Sequence, residues 1–263
     1  TPSQVSTVDR IDYSNDTATA SPKGPLVRTN WLFSATGNTS YGYFGGGDPP
    51  SSPSPSGSTF VDRVDYSNDT PTASPKGNLS VAYRNTNSFS PREWALPATS
   101  STQTETRSAT LPQGTAYGYY GGGYSSAVST VDRIDYGNDT ATASTKGPLS
   151  SAKGYLSATS STSYGYWGGG YSDSLQSAVD RLDYSNDTPT MAAKGPLATA
   201  RFKLDATGNN SYGYFAGGMS PSGGPAVYST VERVEYSNDT ATAAAKGPLS
   251  VGRYGLFSTG NQS

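Results

Sequence analysis

The fold of this chain is decided by one recurring stretch, Val179-Asp180-Arg181-Leu182-Asp183-Tyr184-Ser185-Asn186-Asp187-Thr188. Four further copies, each with small changes, begin at Val8, Val61, Val131 and Val231. A second phrase, Tyr164-Gly165-Tyr166-Trp167-Gly168-Gly169-Gly170, alternates with the first and returns at Tyr41, Tyr117 and Tyr212. A repeat period of about fifty residues, rich in glycine and β-forming residues, is typical of a propeller or a solenoid.

Each repeat unit contains four candidate strands, and the third unit shows them most clearly. They are Leu156–Thr159, Tyr164–Trp167, Ala178–Tyr184 and Thr188–Ala192. Polar turns separate them, including Ser185-Asn186-Asp187, where an Asn or Asp side chain can bond to the main chain of the turn. Short strands, closely spaced turns and the lack of a 3.6-residue hydrophobic period predict an all-β fold with antiparallel sheets.

The repeat resembles that of the kelch family in three motifs. The first is an aromatic strand that ends in glycines, as in Tyr41-Gly42-Tyr43-Phe44-Gly45-Gly46-Gly47. The second is a strand of the type Val-Glu-Arg-Tyr-Asp, here Val8-Asp9-Arg10-Ile11-Asp12-Tyr13. The third is a connector that ends in arginine, here Lys-Gly-Pro-Leu before Arg201 or Arg253. The resemblance implies a β-propeller built from four-stranded antiparallel blades.

The fourth strand departs from the kelch pattern. Small residues such as Ala18 and Ala141 stand where that family has a tryptophan. We therefore expect the tyrosines of the second strand to fill the volume between blades.

The chain, residues 1–263, is predicted to be a single kelch-like propeller of about five blades, with the last blade split between the termini. A third strand lies near the start, at Val5–Tyr13, and a first strand lies near the end, at Leu256–Thr259. The second strand of that split blade is expected after Ser263. We therefore expect this sequence to be a fragment of a longer chain.

The composition argues against several classes of function. Because the chain has no cysteine and no histidine, disulfides, Cys-based zinc sites and catalysis by imidazole are excluded. A formal net charge of −2 argues against binding to nucleic acid, which needs a basic face. No apolar run approaches the roughly 18 residues of a membrane span, and the carboxylates lack the pattern of a calcium loop. We expect no cofactor, no metal, no nucleic-acid partner and no membrane span.

Every copy of the first phrase has an arginine between two carboxylates. Both faces of a propeller blade pack against neighbours, and charges in such places need partners. We therefore predict structural ion pairs between these arginines and the repeat carboxylates. The arginines are Arg10, Arg63, Arg133, Arg181 and Arg233, and the carboxylates that follow them are Asp12, Asp65, Asp135, Asp183 and Glu235.

Length variation among the units is confined to two of the four connections. The connection between strands two and three varies, and the largest insertion, residues 85–105, lies between strands four and one. In an up-and-down blade these two connections emerge on the same face. Variable loops on a rigid scaffold commonly carry recognition, although neutral drift of exposed loops is the alternative.

Four aromatic residues lie in or beside the variable loops, and they are the candidate ligand-binding residues: Trp94, Tyr124, Tyr171 and Tyr228. Exposed rings can stack on sugars, and Tyr and Trp are common anchors at protein interfaces. The alternative is that these rings fold back and cap the edges of the blades.

These features favour a non-enzymatic module, extracellular or on a virion surface, that binds a protein or a cell-surface glycan and possesses no cofactor. Ser/Thr/Gly/Tyr-rich repeats without Cys or His resemble those of bacteriophage virion and tail-fibre proteins, in which other copies of the chain would be partners. An adhesion propeller of a bacterium or alga, an intracellular kelch-type adaptor and a glycan-active propeller enzyme are the alternatives. An enzyme is disfavoured because the arginines and tyrosines occupy repeat-equivalent positions and no carboxylate pair stands out.

Overall fold

The computed structural model describes residues 5–11, 19–50, 57–84, 87–89, 116–124, 127–221 and 226–258. Within these ranges the regular structure is β-strand except for two short 3-10 helices, η1 (Tyr136–Asn138) and η2 (Tyr236–Asn238). Four antiparallel four-stranded sheets form the blades of a β-propeller. The prediction of an all-β propeller with four-stranded antiparallel blades is confirmed.

The strands are numbered in chain order, and each complete blade uses four of them. A two-stranded sheet, β1 (Asp9–Arg10) and β2 (Ser21–Pro22), precedes the first complete blade. Blade 1 consists of β3 (Phe33–Gly37), β4 (Tyr41–Gly46), β5 (Val61–Asp65) and β6 (Ser74–Pro75). Blade 2 consists of β7 (Asn87–Phe89), β8 (Tyr117–Gly121), β9 (Val131–Asp135) and β10 (Ser144–Lys146). Blade 3 consists of β11 (Ser157–Ser160), β12 (Tyr164–Gly168), β13 (Val179–Asp183) and β14 (Ala192–Lys194).

Blade 4 differs from the others by a hairpin in its variable connection. Its sheet consists of β15 (Asp205–Gly208), β16 (Tyr212–Ala216), β19 (Val231–Glu235) and β20 (Ala244–Lys246). The hairpin, β17 (Met219–Ser220) and β18 (Ala226–Val227), lies between the second and third strands of that sheet.

The prediction of about five blades is wrong, because the described part of the chain forms four complete blades. Within the described residues β1 and β2 pair only with each other, and Leu256–Ser258 forms no strand. The sequence has no fifth Tyr-Gly-Tyr phrase to lie between these pieces. Among the described residues, β1, β2 and Leu256–Ser258 therefore do not form a four-stranded sheet.

Blades pack on one another through the glycines and aromatic residues of their second strands. Trp167 lies over Gly121 of the preceding blade, and a Cβ placed on that glycine would be 2.9 Å from the indole nitrogen. Tyr120 lies over Gly45 and Phe215 over Gly168 in the same way. All three aromatic side chains are fully buried. The glycine is therefore required by the close approach of the next blade.

The second-strand tyrosines also lie between blades. Tyr43, Tyr119 and Tyr166 are buried. The ring of Tyr166 stacks on Tyr236 of blade 4 with the centroids 4.6 Å apart, and Tyr43 and Tyr119 make the same contact with the blade that follows them.

A charged cluster joins each blade to the next, and it corrects the predicted ion pairs. Arg181 Nη1 of blade 3 donates to Asp239 Oδ2 of blade 4 over 2.7 Å. Tyr166 donates its hydroxyl to the same oxygen over 3.1 Å, and Lys194 Nζ is 3.5 Å from the other carboxylate oxygen. The corresponding pairs are Arg10–Asp69, Arg63–Asp139 and Arg133–Asp187. We call each such group the junction clamp.

The second carboxylates of the phrase were therefore the wrong partners. Asp65, Asp135 and Asp183 accept hydrogen bonds from the main-chain N–H two residues further on, and Glu235 accepts one from Ser237 Oγ. They end the strand and hold the turn, whereas the aspartate of the turn lies under the arginine of the preceding blade. Arg233 lies over the ring of Tyr212 at 4.2 Å, and Asp12 lies outside the described residues.

The first carboxylate of the phrase has a different role, which the sequence analysis did not identify. Asp180 and Lys153 are both fully buried and lie 2.9 Å apart. Glu232 lies 3.6 Å from the fully buried Arg201. These pairs tie the connector that enters a blade to the third strand of that blade, and burial lowers the pKa of the Arg201 guanidinium.

The first strands of the blades surround the central axis. β3 contacts β7, β7 contacts β11, and β11 contacts β15. Because successive strands are antiparallel, the connections between strands two and three and between strands four and one lie on the same face. We call this the variable face.

The prediction that the 85–105 insertion lies between strands four and one is wrong. The first strand of blade 2, β7, lies at Asn87–Phe89 and pairs with β8, so the long stretch after Phe89 connects strands one and two, on the face opposite to the variable face. Most of the insertion lies outside the described residues.

Candidate binding site

Four aromatic rings form a cluster on the variable face. Tyr124 and Tyr171 follow the glycines that end β8 and β12, and each begins a connection between strands two and three. The ring of Tyr124 lies 4.7 Å from Tyr155 and 6.2 Å from Tyr171, centroid to centroid. Phe202 completes the cluster, because its ring centroid lies 5.7 Å from the centroids of both Tyr155 and Tyr171. All four side chains are half-buried, so part of each ring remains accessible.

An unusual backbone turn places the inner members of this site. Leu32, Tyr155 and Lys203 have φ values of 58°, 55° and 54°. They occupy the same place in blades 1, 3 and 4, just before the first strand, where Gly255 also has a φ of 63°. The left-handed conformation costs a residue with a Cβ about 1–2 kcal/mol, and glycine avoids that cost. Side chains kept at such positions are candidates for a role outside folding.

Hydrogen bonds link these turns in series around the mouth of the propeller. The Lys203 N–H donates to the carbonyl of Tyr155, and the Gly255 N–H donates to the carbonyl of Lys203, both over 2.9 Å. The turns at Tyr155, Lys203 and Gly255 are therefore hydrogen-bonded in series, and these bonds hold the main chain that positions the side chains of Tyr155 and Lys203.

Lys203 adds a positive charge to the cluster. Its ammonium nitrogen lies 5.5 Å from the ring centroids of Tyr155, Phe202 and Tyr254. A second cation, Arg84, donates through Nε to the carbonyl of Tyr124 over 2.6 Å and lies 3.7 Å from Asp48. Burial raises the pKa of the Tyr155 hydroxyl, partly offset by the charge of Arg84. The Tyr155 hydroxyl therefore remains a neutral hydrogen-bond donor, and the cations Lys203 and Arg84 lie at the edge of the site.

A cavity of about 240 Å³ opens beside this cluster at the central axis. Tyr155, Lys203 and Tyr254 line one part of it, and Leu32 and Phe257 line another. A second cavity of about 330 Å³ adjoins the first, and Leu204, Leu256 and Phe257 line both. The two cavities therefore share walls at the axis of the propeller.

Asp205 is the one carboxylate that lines either cavity in the described part of the chain. Ser157 donates its hydroxyl to Asp205 over 3.0 Å. Burial raises the pKa of the Asp205 carboxyl, and hydrogen bonds from Ser258 and Ser157 partly offset that rise. A single carboxyl can position a polar group, but glycoside hydrolysis normally uses two.

The structure brings together two of the four predicted ligand-binding residues, Tyr124 and Tyr171. Tyr228 lies outside the four-ring cluster, and its main chain is bonded to Gly218 and Arg253. Trp94 lies outside the described residues.

Sequence reasoning missed Tyr155, Phe202 and Lys203. The available signal was the alignment of Tyr155 and Lys203 with Gly255, because a glycine at a repeat position can indicate a left-handed turn.

Comparison with protein-family models and with curated proteins found no match. The relation to the kelch family therefore remains a resemblance of motifs. Among the described residues, no three or more Asp and Glu side chains come together as a metal site would require. None of the described helices has the length and apolar character needed to cross a membrane.

Proposed function

We propose that this chain is a non-enzymatic recognition module that binds a glycan at the aromatic cluster of its variable face. The observation that carries the proposal is the closed set of four half-exposed rings beside the Lys203 ammonium. Aromatic faces can stack on sugar rings, while hydroxyl and ammonium groups can bond to the polar edge of the sugar.

The charge of the site favours an acidic glycan. The Lys203 ammonium lies among rings, and we expect a carboxylate or sulfate of the ligand to bind it directly. Arg84 strengthens the positive potential at the edge of the cluster, although Asp48 neutralises part of it. The clustering of aromatics with cations at a rigid mouth supports binding more than catalysis, since Asp205 is the one carboxyl on the cavity walls within the described residues.

The setting that we propose is a virion or fibre surface, where the module would attach to a host-cell glycan. The support is compositional, namely Ser/Thr/Gly/Tyr-rich repeats with neither cysteine nor histidine. An adhesion protein on a bacterial or algal surface would use the same site chemistry. A protein partner is the second candidate ligand, because Tyr-rich half-exposed patches also anchor protein interfaces.

The test is binding of immobilised acidic and neutral glycans to the chain and to a Tyr124→Ala/Tyr171→Ala variant. We expect the double variant to lose at least roughly tenfold in affinity, since two stacking contacts of about 1 kcal/mol each are removed. Tyr228→Ala is the matched control, because it removes a tyrosine of the same face from outside the cluster, and it should bind like the unaltered chain.

Two results would contradict the proposal. One is unchanged glycan binding in the double variant with its fold intact by circular dichroism. The other is that the unaltered chain binds neither the acidic nor the neutral glycans, which would favour a protein as the ligand.

A further inference from the structure

The N-terminal two-stranded sheet has the pairing of the outer half of a blade. Arg10 lies opposite Ser21 in β1 and β2, as Arg63 lies opposite Ser74 in blade 1. The N–H of Lys23 donates to the carbonyl of Val8 over 2.8 Å, and Lys76 donates to Val61 over the same distance. β1 and β2 therefore stand in the places of a third and a fourth strand.

The last described residues lie where a first strand belongs. Leu256 packs against Gly217 of blade 4, as Leu204 packs against Gly169 of blade 3. Ser258 donates its hydroxyl to the carbonyl of Ala206 over 2.7 Å. The corresponding residue of blade 2, Ser88, donates to the carbonyl of Ala35 over 2.6 Å.

Between these two pieces lies the place of a second strand. The 330 Å³ cavity at the axis extends to Phe44 of blade 1 on one side and to Leu256 and Phe257 on the other, and Phe257 is 95% exposed. We call this place, bounded by Phe44, Asp69, Ala216 and Phe257, the open slot. Within the described residues no strand fills it.

Phe44 is more exposed than the residues that correspond to it in the other blades. In the three complete junctions the corresponding residues are Tyr120, Trp167 and Phe215, and each is fully buried over a glycine of the preceding blade. Phe44 is only partly buried. Its ring is positioned to cover a glycine that a strand in the open slot would supply.

Among the described residues, Asp69 contacts two of the three kinds of partner that the other clamp aspartates have. It takes part in the junction clamp through Arg10, at 2.7 Å, and Lys23, at 3.4 Å. The aspartates of the other clamps also accept a tyrosine hydroxyl from the second strand of the preceding blade. A tyrosine at the third position of a strand in the open slot would complete the clamp at Asp69.

We propose that the open slot is a strand-acceptor site for an extended segment of the type Tyr-Gly-Tyr-x-Gly-Gly. The third residue, tyrosine, donates to Asp69, and the fifth residue, glycine, lies under Phe44. The main chain pairs with β1 on one side and with Leu256–Ser258 on the other, which is the geometry of β-strand addition. The apolar exposure of Phe257 ends when the strand is in place.

Ala216 sets the specificity of the site at the fourth position. In blades 1, 2 and 3 the corresponding residues are Gly45, Gly121 and Gly168, and a Cβ there would lie 2.6 to 3.0 Å from the aromatic residue of the next blade. Blade 4 has a real Cβ at this position, on Ala216. An aromatic fourth residue is therefore too large, and the accepted strand carries a small one.

The experiment appends the strand to the chain, so that its effective concentration is high. The sequence Thr259-Gly260-Asn261-Gln262-Ser263 matches Thr207-Gly208-Asn209-Asn210-Ser211, which leads into Tyr212. Three extensions after Ser263 are compared: Tyr-Gly-Tyr-Ala-Gly-Gly-Gly, the same phrase with Phe at the fourth position, and a scrambled phrase. The readouts are Tm and amide hydrogen exchange of β1 and of Leu256–Ser258.

We expect the Ala extension to raise the Tm by roughly 5 °C and to slow amide exchange in both flanking segments at least roughly tenfold. The Phe extension should give less than half of this effect, and Ala216→Gly, which restores the residue used in the other blades, should recover it. The scrambled extension should change neither readout.

Three outcomes would overturn the proposal. If the Ala extension changes the Tm and amide exchange no more than the scrambled one does, the open slot does not accept a strand. A Phe extension that works equally well in the unaltered chain removes the role of Ala216. Dimerisation of the unextended chain with protection of the same segments would show that a second copy fills the open slot.

Discussion

Replacing Asp239 by asparagine removes the carboxylate that joins blade 3 to blade 4. Arg181 at 2.7 Å, Tyr166 at 3.1 Å and Lys194 at 3.5 Å all meet at this group, whose side chain is 6% exposed. The variant leaves two positive charges side by side without their common counter-charge. Their mutual repulsion adds to the loss of the hydrogen bonds.

The magnitude follows from the burial of the two partners. Breaking a fully buried ion pair costs about 3–5 kcal/mol. The Arg181 side chain is 25% exposed, so that water can solvate part of its charge, and a solvated pair contributes less. We therefore expect Asp239→Asn to lower the free energy of unfolding by about 2–3 kcal/mol.

The matched control is Asp183→Asn, on the same strand as Arg181. Asp183 accepts from the N–H and hydroxyl of Ser185 in an exposed turn, and losing such a bond costs about 0.5–1 kcal/mol. Urea unfolding at neutral pH measures both variants. A double-mutant cycle with Arg181→Gln should then give a coupling of about 1–3 kcal/mol to Asp239 and close to zero to Asp183. Equal losses for the two aspartates, or a larger coupling to Asp183, would refute the assignment of the junction clamp.

Two further predictions concern alkaline pH and the strained turn. Burial raises the pKa of several tyrosine hydroxyls, among them Tyr43, Tyr119 and Tyr166. The native state therefore retains protons that the unfolded chain loses above about pH 10. We expect the free energy of unfolding to be unaffected below that pH and to fall as the pH rises above it. Tyrosinate absorbance should then appear together with the loss of near-ultraviolet circular dichroism, and complete tyrosine ionisation in a folded chain would contradict this. Lys203→Gly should raise the free energy of unfolding by up to about 1 kcal/mol, because glycine adopts the left-handed φ without strain. The same variant should bind an acidic glycan more weakly, because the ammonium is lost. A variant that is less stable and binds equally well would contradict both the strain and the role of the ammonium.

The fold could be predicted because its information is periodic in the sequence. Glycines at Gly121 and Gly168 recur at a fixed distance from the aromatic residue, and strand pairing within a blade needs only neighbouring segments. The number of complete blades could not be predicted in this way. It depends on whether a strand lies between the segments around Arg10 and Leu256, and the repeat pattern of a single unit does not determine that.

The partners of Arg181 show the same limit at the scale of side chains. Strand alternation places Arg181 and Asp183 on one face of β13, so a sequence reading naturally joins them. The approach of blade 4 brings Asp239 closer, and the relative placement of two blades is not encoded in the pattern of either. Tyr155 and Lys203 escaped notice for a related reason, since neither residue type indicates a left-handed turn by itself.

The junction clamp makes the contact between neighbouring blades directional. Arg10, Arg63, Arg133 and Arg181 each contact an aspartate of the blade that follows, so each of these interfaces joins unlike surfaces in a head-to-tail manner. Contacts of this kind close into a ring only when the angle between units divides the circle, and otherwise continue as a spiral. Because the clamp residues are the same at each interface, they set the direction of growth and leave the number of units to the curvature around the axis. Duplicating or deleting one whole unit should therefore preserve every contact between neighbours and alter only the width of the central opening.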